Sequence, residues 1–276
     1  MAITVDVEAT IGAQAFGTAV YSLEIPSIYF GITIGLTILI AVKASQQTVS
    51  IYMKTKSFFN LYVWMIWVLL IANLLQAIIN WLFIRGDLLG TLGFFFGSCI
   101  LWTLQTQLAL QIIANRLGLV IMDKSRVKIM KICLLVIVGI INISVACIWI
   151  PARLTHKEPF VRINEIWDRM EKIIYLMVDL TLNAIFLRKV RRELIAGGLT
   201  KYWLLFNCNV AAVSVSLSMD LRQILIIVMM SLPNPFLYAI THPVAYSVKL
   251  VIEMLMADLI STIARQPHQL LSRSNV

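Results

Sequence analysis

Hydrophobic residues form long unbroken runs along this chain, and Lys, Arg, Asp and Glu fall mostly between the runs. A helix of about twenty apolar residues can cross the roughly 30 Å hydrocarbon core of a bilayer. Strands of a transmembrane barrel alternate in polarity and are about ten residues long, so the runs exclude that architecture. The pattern predicts an all-α polytopic bundle of seven transmembrane helices, over residues 25–42, 61–84, 88–115, 132–150, 167–187, 203–231 and 236–258.

The last three predicted spans are less apolar than the first four. Asp179 lies in the fifth span, Asp220 and Arg222 lie in the sixth, and Lys249 lies in the seventh. A count of six spans therefore stays open as an alternative. The connections are short, so we predict one transmembrane domain over residues 1–276 that ends in a short cytoplasmic tail at 259–276.

The basic residues indicate how the chain is threaded through the membrane. They cluster at 43–56, 116–131, 188–201 and in the C-terminal tail, which are alternate connections of the predicted bundle. Because cytoplasmic loops carry an excess of Lys and Arg, this distribution predicts the N-terminus outside and the C-terminus inside. The 276 residues are 60% hydrophobic and 13% charged, whereas soluble domains carry about a quarter charged residues. We expect a multi-pass protein of the endoplasmic reticulum or the plasma membrane.

The net charge of +9 is spread over short loops that border the membrane. Such loops meet anionic lipid headgroups, whereas nucleic-acid binding needs a basic face on a folded domain. We therefore expect membrane lipid as a partner, and no nucleic acid. The sequence names no protein partner. It contains no phosphate-binding loop, no H-E-x-x-H and no His or Cys pair at metal spacing, so no metal or cofactor is predicted.

Two glycine pairs in the spans match the pattern that lets transmembrane helices approach closely. They are Gly31 with Gly35, and Gly93 with Gly97. Polar residues inside the spans recur at intervals of three and four, which places each set on one helix face. The sets are Asn73, Gln76 and Asn80; Thr103, Gln107, Gln111 and Asn115; Asp168, Lys172, Tyr175, Asp179 and Asn183; and His242, Tyr246, Lys249 and Glu253.

Four polar faces predict a bundle with a polar interior, because polar side chains at membrane depth turn away from lipid. In the structural alternative, the amides and hydroxyls only hold helices together, at about 1 kcal/mol for each interhelical bond. Charged residues at depth cost more and point to function. The candidate catalytic acids are Asp179, Glu171, Asp220 and Glu253, and the candidate ligand-binding residues are Gln107, Gln111, Tyr175, His242, Tyr246 and Lys249.

Lys249 and Glu253 are four residues apart, so the two side chains can pair within one helix and lower the cost of burying both. Asp179 has no such partner within its own helix. If it lies at depth, its partner must be Lys249, Arg222, a proton or a bound molecule.

The second half of the chain carries a family resemblance. Its segments are IPARL at 150–154, INEIWDRMEKIIYLMVDLTLNAIF at 163–186, SMD at 218–220, IIVMMSLPN at 226–234 and HPVAYSVKLVIEMLMADLI at 242–260. They resemble a group of fungal seven-span integral membrane proteins, some of which occur beside genes for secondary metabolism, including terpenoid pathways. The resemblance implies a seven-span architecture and a fungal source, with a metabolic role by association. The first half is similar in hydropathy alone.

Two functions of different classes follow as hypotheses. In the first, the chain acts in fungal secondary-metabolite biosynthesis, in a terpenoid pathway, as a membrane-embedded cyclase or an accessory that handles a lipophilic small molecule. In the second, it is a seven-span receptor-like sensor. The topology suits both, and the sequence does not decide whether the protein is an enzyme.

Overall fold

The computed structural model describes residues 2–56, 60–121, 123–155, 158–189 and 241–258. These ranges contain six helices, which agrees with the predicted all-α class. They are α1 (Ala2–Thr55), α2 (Leu61–Arg85), α3 (Leu92–Val120), α4 (Lys124–Thr155), α5 (Glu158–Lys189) and α6 (241–258). The predicted sixth span, with Asp220 and Arg222, lies outside the described residues.

Four of these helices are long and apolar enough to cross a membrane. The segments are Pro26–Met53, Leu61–Arg85, Leu92–Gly118 and Lys124–Leu154. They agree with the first four predicted spans, although α1, α3 and α4 extend beyond the predicted limits. The total of seven spans and the orientation stay predictions.

Large apolar side chains on the outside of the bundle fit a hydrocarbon surrounding. On α4 the exposed residues include Ile132, Leu135, Val136, Ile140 and Ile143, each at least half exposed. Soluble proteins rarely expose apolar patches of this extent. The outer surface of the helices is therefore suited to contact with lipid acyl chains.

Helix α5 is amphipathic, with its apolar face outward. The exposed side chains of Ile163, Ile166, Met170, Ile173 and Met177 recur at intervals of three and four. This spacing places them on one face of the helix, opposite the polar set that begins at Asp168 and ends at Asn183. The average hydropathy of α5 is low because it includes the polar face. The helix nevertheless has a continuous apolar face, as a fifth span would require.

The apolar interior is divided into two clusters that share α3 and α6. One cluster joins α3, α4, α5 and α6 around Leu117, Val138 and Phe186. The other joins α1, α2, α3 and α6 around Leu69 and Leu250. Helices that contribute to both clusters lie at the centre of the bundle, so α3 and α6 are the helices best placed to carry a buried site.

Local sequence signals define both ends of α2. The side chain of Asn60 accepts a hydrogen bond from the Tyr62 amide at 3.0 Å, which caps the first turn. Gly86 ends the helix with φ of 88°. Glycine suits this left-handed conformation because it has no Cβ. The connection to α3 is therefore short.

The predicted close contacts at the two glycine pairs are not found within the described part of the chain. A Cβ added at Gly31, Gly35, Gly93 or Gly97 would meet no atom within 4 Å there. The close approach occurs instead at Gly118, where an added Cβ would lie 2.7 Å from Cγ1 of Val127. The lack of a side chain at Gly118 thus lets Val127, near the start of α4, pack against the last turns of α3.

We expect Gly118→Ala to destabilise the protein by about 1–3 kcal/mol, because the new methyl group overlaps a β-branched side chain that cannot move away freely. Thermal unfolding in detergent measures the effect. Gly139→Ala is the matched control, since its Cβ would enter open space within α4. Adding Val127→Ala to Gly118→Ala should restore stability. If Gly118→Ala and Gly139→Ala are equally stable, the close contact between Gly118 and Val127 is absent.

Candidate functional site

A cavity of about 40 Å³ lies between α3, α5 and α6. Its volume suits a few water molecules or one small polar group. The cavity brings together five candidates from the sequence, namely Glu171, Tyr175, His242, Tyr246 and Lys249. The other lining residues are Trp102, Lys172, Leu176 and Ala245.

The walls of the cavity combine aromatic rings with charged groups. Tyr246 and His242 are one helical turn apart on α6, and their rings stack with centroids 6.1 Å apart. On the α3 side, the rings of Trp102 and Tyr175 lie 6.2 Å apart. The Tyr175 hydroxyl donates a hydrogen bond to Oδ1 of Asn142 on α4 at 2.7 Å. This bond fixes the Tyr175 ring at the cavity wall.

A lysine between two carboxylates stands at one end of the cavity. Nζ of Lys172 contacts the Asp168 carboxylate and donates to Oε1 of Glu171 at 3.2 Å. Glu171 is only 2% exposed. Its second oxygen, Oε2, has no hydrogen-bond partner among the described residues. The structure therefore holds one oxygen of Glu171 by a cation and leaves the other buried without a hydrogen-bond partner among the described residues.

A second ionic cluster lies further along α5 and α6. Nζ of Lys249 is 3.4 Å from Oδ2 of Asp179, and Asn183 donates to Oδ1 of Asp179 at 3.2 Å. Asp179 thus has Lys249 as its partner, one of the four partners that the sequence allowed. Because Lys249 also lines the cavity, this pair connects the cavity wall to the centre of the bundle.

Arg116 of α3 completes the second cluster. Its guanidinium is 3.2 Å from Oε1 of Glu253, donates to Oδ1 of Asn183 and lies over the Phe186 ring at 4.8 Å. Lys249 is therefore paired with Asp179 on α5, and Glu253 is paired with Arg116 on α3. The predicted pairing of these two residues with each other is not needed to explain their burial.

Arg116 corrects the sequence analysis. The charge pattern placed it in the basic connection at 116–131, yet it is only 3% exposed. A span defined as an uncharged interval must end at the first charge, even where the helix continues. Helix α3 in fact continues from Arg116 to Val120. Lys172, which the sequence analysis placed on the polar face of the fifth span, is buried as well, at 8% exposed.

Two candidate ligand-binding residues lie outside the cavity lining. Gln111 donates to the Lys131 carbonyl of α4 at 2.9 Å. Gln107 is half-buried, and its Nε2 has no hydrogen-bond partner in the described part of the chain. Gln105 does not belong to the predicted polar set of α3, yet it is fully buried and donates a hydrogen bond to the Ala72 carbonyl of α2. The polar face of α3 is thus used largely for helix contacts, as the structural alternative predicts.

The polar set on α2 likewise joins helices. Asn73 donates to the Pro243 carbonyl and to Oγ of Ser247 on α6, at 3.1 and 2.8 Å. Gln76 donates to Oγ of Ser98 on α3 at 2.8 Å. These bonds position the start of α6, and with it His242 and Tyr246.

No family model, curated protein or solved structure matches the chain. The candidate site is accordingly defined by its own geometry: a small polar cavity with aromatic walls, one buried carboxylate oxygen without a hydrogen-bond partner among the described residues, and two ionic clusters.

We expect Asp179→Asn and Lys249→Met each to lower stability, by as much as about 3 kcal/mol, because each leaves an opposite charge without its partner. The double variant should recover most of the loss, since it removes both charges. Thermal unfolding of the four proteins in detergent measures the coupling between the two residues. If the double variant loses as much stability as the two single variants together, Asp179 and Lys249 are not coupled.

Proposed function

We propose that the chain is a multi-pass membrane protein that holds a lipophilic small molecule by its polar end in this cavity, and that Glu171 donates a proton to it. The observation that carries the proposal is the state of Glu171, which is buried, lines the cavity and has Oε2 without a partner among the described residues. Burial disfavours the charged form of a carboxyl group, which suits a proton donor.

The other candidate acids are less suitable as proton donors. Asp179 is ion-paired with Lys249 and accepts a hydrogen bond from Asn183. Glu253 is ion-paired with Arg116, although its Oε2 also has no hydrogen-bond partner among the described residues. Neither residue is among those that line the cavity. Asp220 lies outside the described residues. Glu171 also contacts a cation, Lys172, but Asp168 shares that lysine.

The lining of the cavity suits chemistry that passes through a cation. Protonation of an alkene or an epoxide creates positive charge on carbon, and the faces of aromatic rings attract positive charge. Trp102, Tyr175 and Tyr246 supply three such rings. A cavity of about 40 Å³ accepts the reacting end of a molecule. The hydrocarbon remainder would lie along the apolar helix surfaces.

This chemistry agrees with the resemblance to fungal membrane proteins that are associated with terpenoid pathways. We therefore propose a role in secondary-metabolite biosynthesis, as a membrane-embedded cyclase or an accessory that presents the intermediate.

We expect Glu171→Gln to abolish a product that the intact chain forms, because the amide keeps the shape of the side chain but cannot donate the proton. The measurement compares lipophilic metabolites in a deletion strain that is complemented with each variant. Glu165→Gln is the matched control, since Glu165 is an exposed carboxylate on the same helix and its loss should leave the metabolites unchanged. An unchanged product with Glu171→Gln, at equal protein abundance, would contradict the catalytic role.

A sensor is the second candidate, and Lys249 is the observation that favours it. Lys249 lines the cavity and at the same time ties α6 to α5 through Asp179. A ligand that contacted this ammonium group would compete with Asp179, and so would change the contact between the two helices. In that case Glu171→Gln would leave every metabolite unchanged, while the Asp179→Asn/Lys249→Met variant would lose the response to the ligand.

A further inference from the structure

Lys249 carries a nucleophilic amine that the proton-donor role of Glu171 leaves unused. It lies on α6 and lines the cavity together with Tyr246, which is three residues earlier on the same helix. The side chain of Lys249 is 15% exposed. Charged side chains inside a membrane bundle are costly to bury, and they point to function by default. The amine therefore has a place where it can react with a bound molecule.

Two of the lining residues are lysines, and their surroundings differ. Nζ of Lys172 contacts the Asp168 carboxylate, and it donates to the Asp168 carbonyl and to Oε1 of Glu171, both at 3.2 Å. These three acceptors match the three N–H groups of an ammonium ion. Lys172 thus uses its N–H groups within the wall, and Lys249 is the better candidate for a reaction in the cavity.

A carboxylate stands next to the amine of Lys249. Oδ2 of Asp179 is 3.4 Å from Nζ, and Asp179 is only 4% exposed. Its other oxygen accepts a hydrogen bond from Asn183 at 3.2 Å, and Asn183 in turn accepts one from Arg116. These contacts fix the carboxylate beside Lys249. Asp179 is therefore placed to take a proton from Nζ, to return it, and to act as the counter-ion of a cation at this nitrogen.

We propose that Lys249 binds a lipophilic aldehyde covalently, as an imine that forms inside the cavity. Lysine amines form such bonds with carbonyl compounds once they have lost their proton. The inference goes beyond the proposed function, because it uses Lys249 and Asp179 and does not rest on proton donation by Glu171. It also names the ligand by its polar end, which is a carbonyl group.

The reaction balances within the pair of Lys249 and Asp179. Nζ first passes a proton to Oδ2 of Asp179, which leaves a neutral amine and a neutral acid. The amine attacks the carbonyl carbon, the C–N bond forms, and a proton moves from nitrogen to oxygen to give a carbinolamine. Asp179 then returns its proton to the hydroxyl group, which leaves as water while the C=N bond forms. The net change is aldehyde and lysine ammonium to protonated imine and water.

The buried charge is the same before and after the reaction. The protonated imine carries the single positive charge of the ammonium group that it replaces, and Asp179 is again a carboxylate beside it. A product of different charge would leave Asp179 buried without a counter-ion, which is strongly destabilising. The ion pair in the structure thus accommodates the product as well as the free lysine.

The size and the walls of the cavity suit a carbonyl group. A volume of about 40 Å³ holds a few water molecules, and so has room for a C=O group and the water that it releases. The rings of Trp102 and Tyr246 are part of the same wall. Aromatic faces attract positive charge, which favours the protonated imine. The alkyl chain of the aldehyde would lie along the apolar helix surfaces.

The experiment traps the imine on the purified full chain in detergent. Decanal is the probe, and sodium cyanoborohydride reduces the protonated imine to a stable secondary amine. Peptide mass spectrometry gives the fraction of each lysine that carries the decyl group. At limiting decanal we expect this fraction at Lys249 to be several-fold higher than at Lys124 and Lys128, which are exposed on α4. Lys172 is the matched control within the cavity and should stay unmodified.

The comparison of lysines is made on the original chain, so it does not depend on the folding of any variant. A fraction at Lys249 no higher than at Lys124 and Lys128 would overturn the proposal, and so would equal fractions at Lys172 and Lys249. Neither result bears on proton donation by Glu171, which the metabolite comparison tests separately.

Asp179→Asn tests the part that the carboxylate plays. We expect it to lower the decyl fraction at Lys249 several-fold, because the amide can neither take the proton nor balance the charge of the imine. Asp87→Asn is the control, since Asp87 is an exposed aspartate after α2 and should leave the fraction unchanged. Folding is checked by size exclusion. A folded Asp179→Asn chain that reacts like the original would overturn the role of Asp179.

Discussion

Charged side chains inside a hydrocarbon-facing bundle must find partners, and this requirement determines how the central helices meet. Two interhelical ion pairs, Asp179 with Lys249 and Arg116 with Glu253, join α3, α5 and α6. Asn183 lies between them, donating to Asp179 and accepting from Arg116. Removing one member would leave a buried charge, so the pairs constrain the positions of all three helices. The cavity lies next to these pairs, with Lys249 on its wall.

Helix α5 shows how a strongly charged segment can belong to a membrane bundle. Its outward face is apolar from Ile163 to Met177, whereas its inward face carries Lys172 and Asp179. An average over the segment mixes the two faces and hides the apolar one. Its charges lie in the bundle interior, where other helices supply their partners, so they are compatible with a span.

The polar residues of the bundle divide into two uses. Amides on α2 and α3, such as Asn73 and Gln111, bond to neighbouring helices and hold them in register. The acids and lysines of α5 and α6 line the cavity and form the ion pairs beside it. Catalysis and sensing both make use of this second set: catalysis requires Glu171 to move a proton, and sensing requires Lys249 to release its partner.

The sequence by itself determined the helical class, the first four spans and the residues that share a face, because periodicity of three and four is a property of a single helix. It placed Glu171, Tyr175, His242, Tyr246 and Lys249 among the candidates that meet at the cavity. Tertiary structure alone decided which charges pair. Arg116 had been assigned to a loop, and Lys249 was one of several possible partners of Asp179. Pairing between helices depends on their relative rotation and depth, and the spacing within one helix carries no information about either.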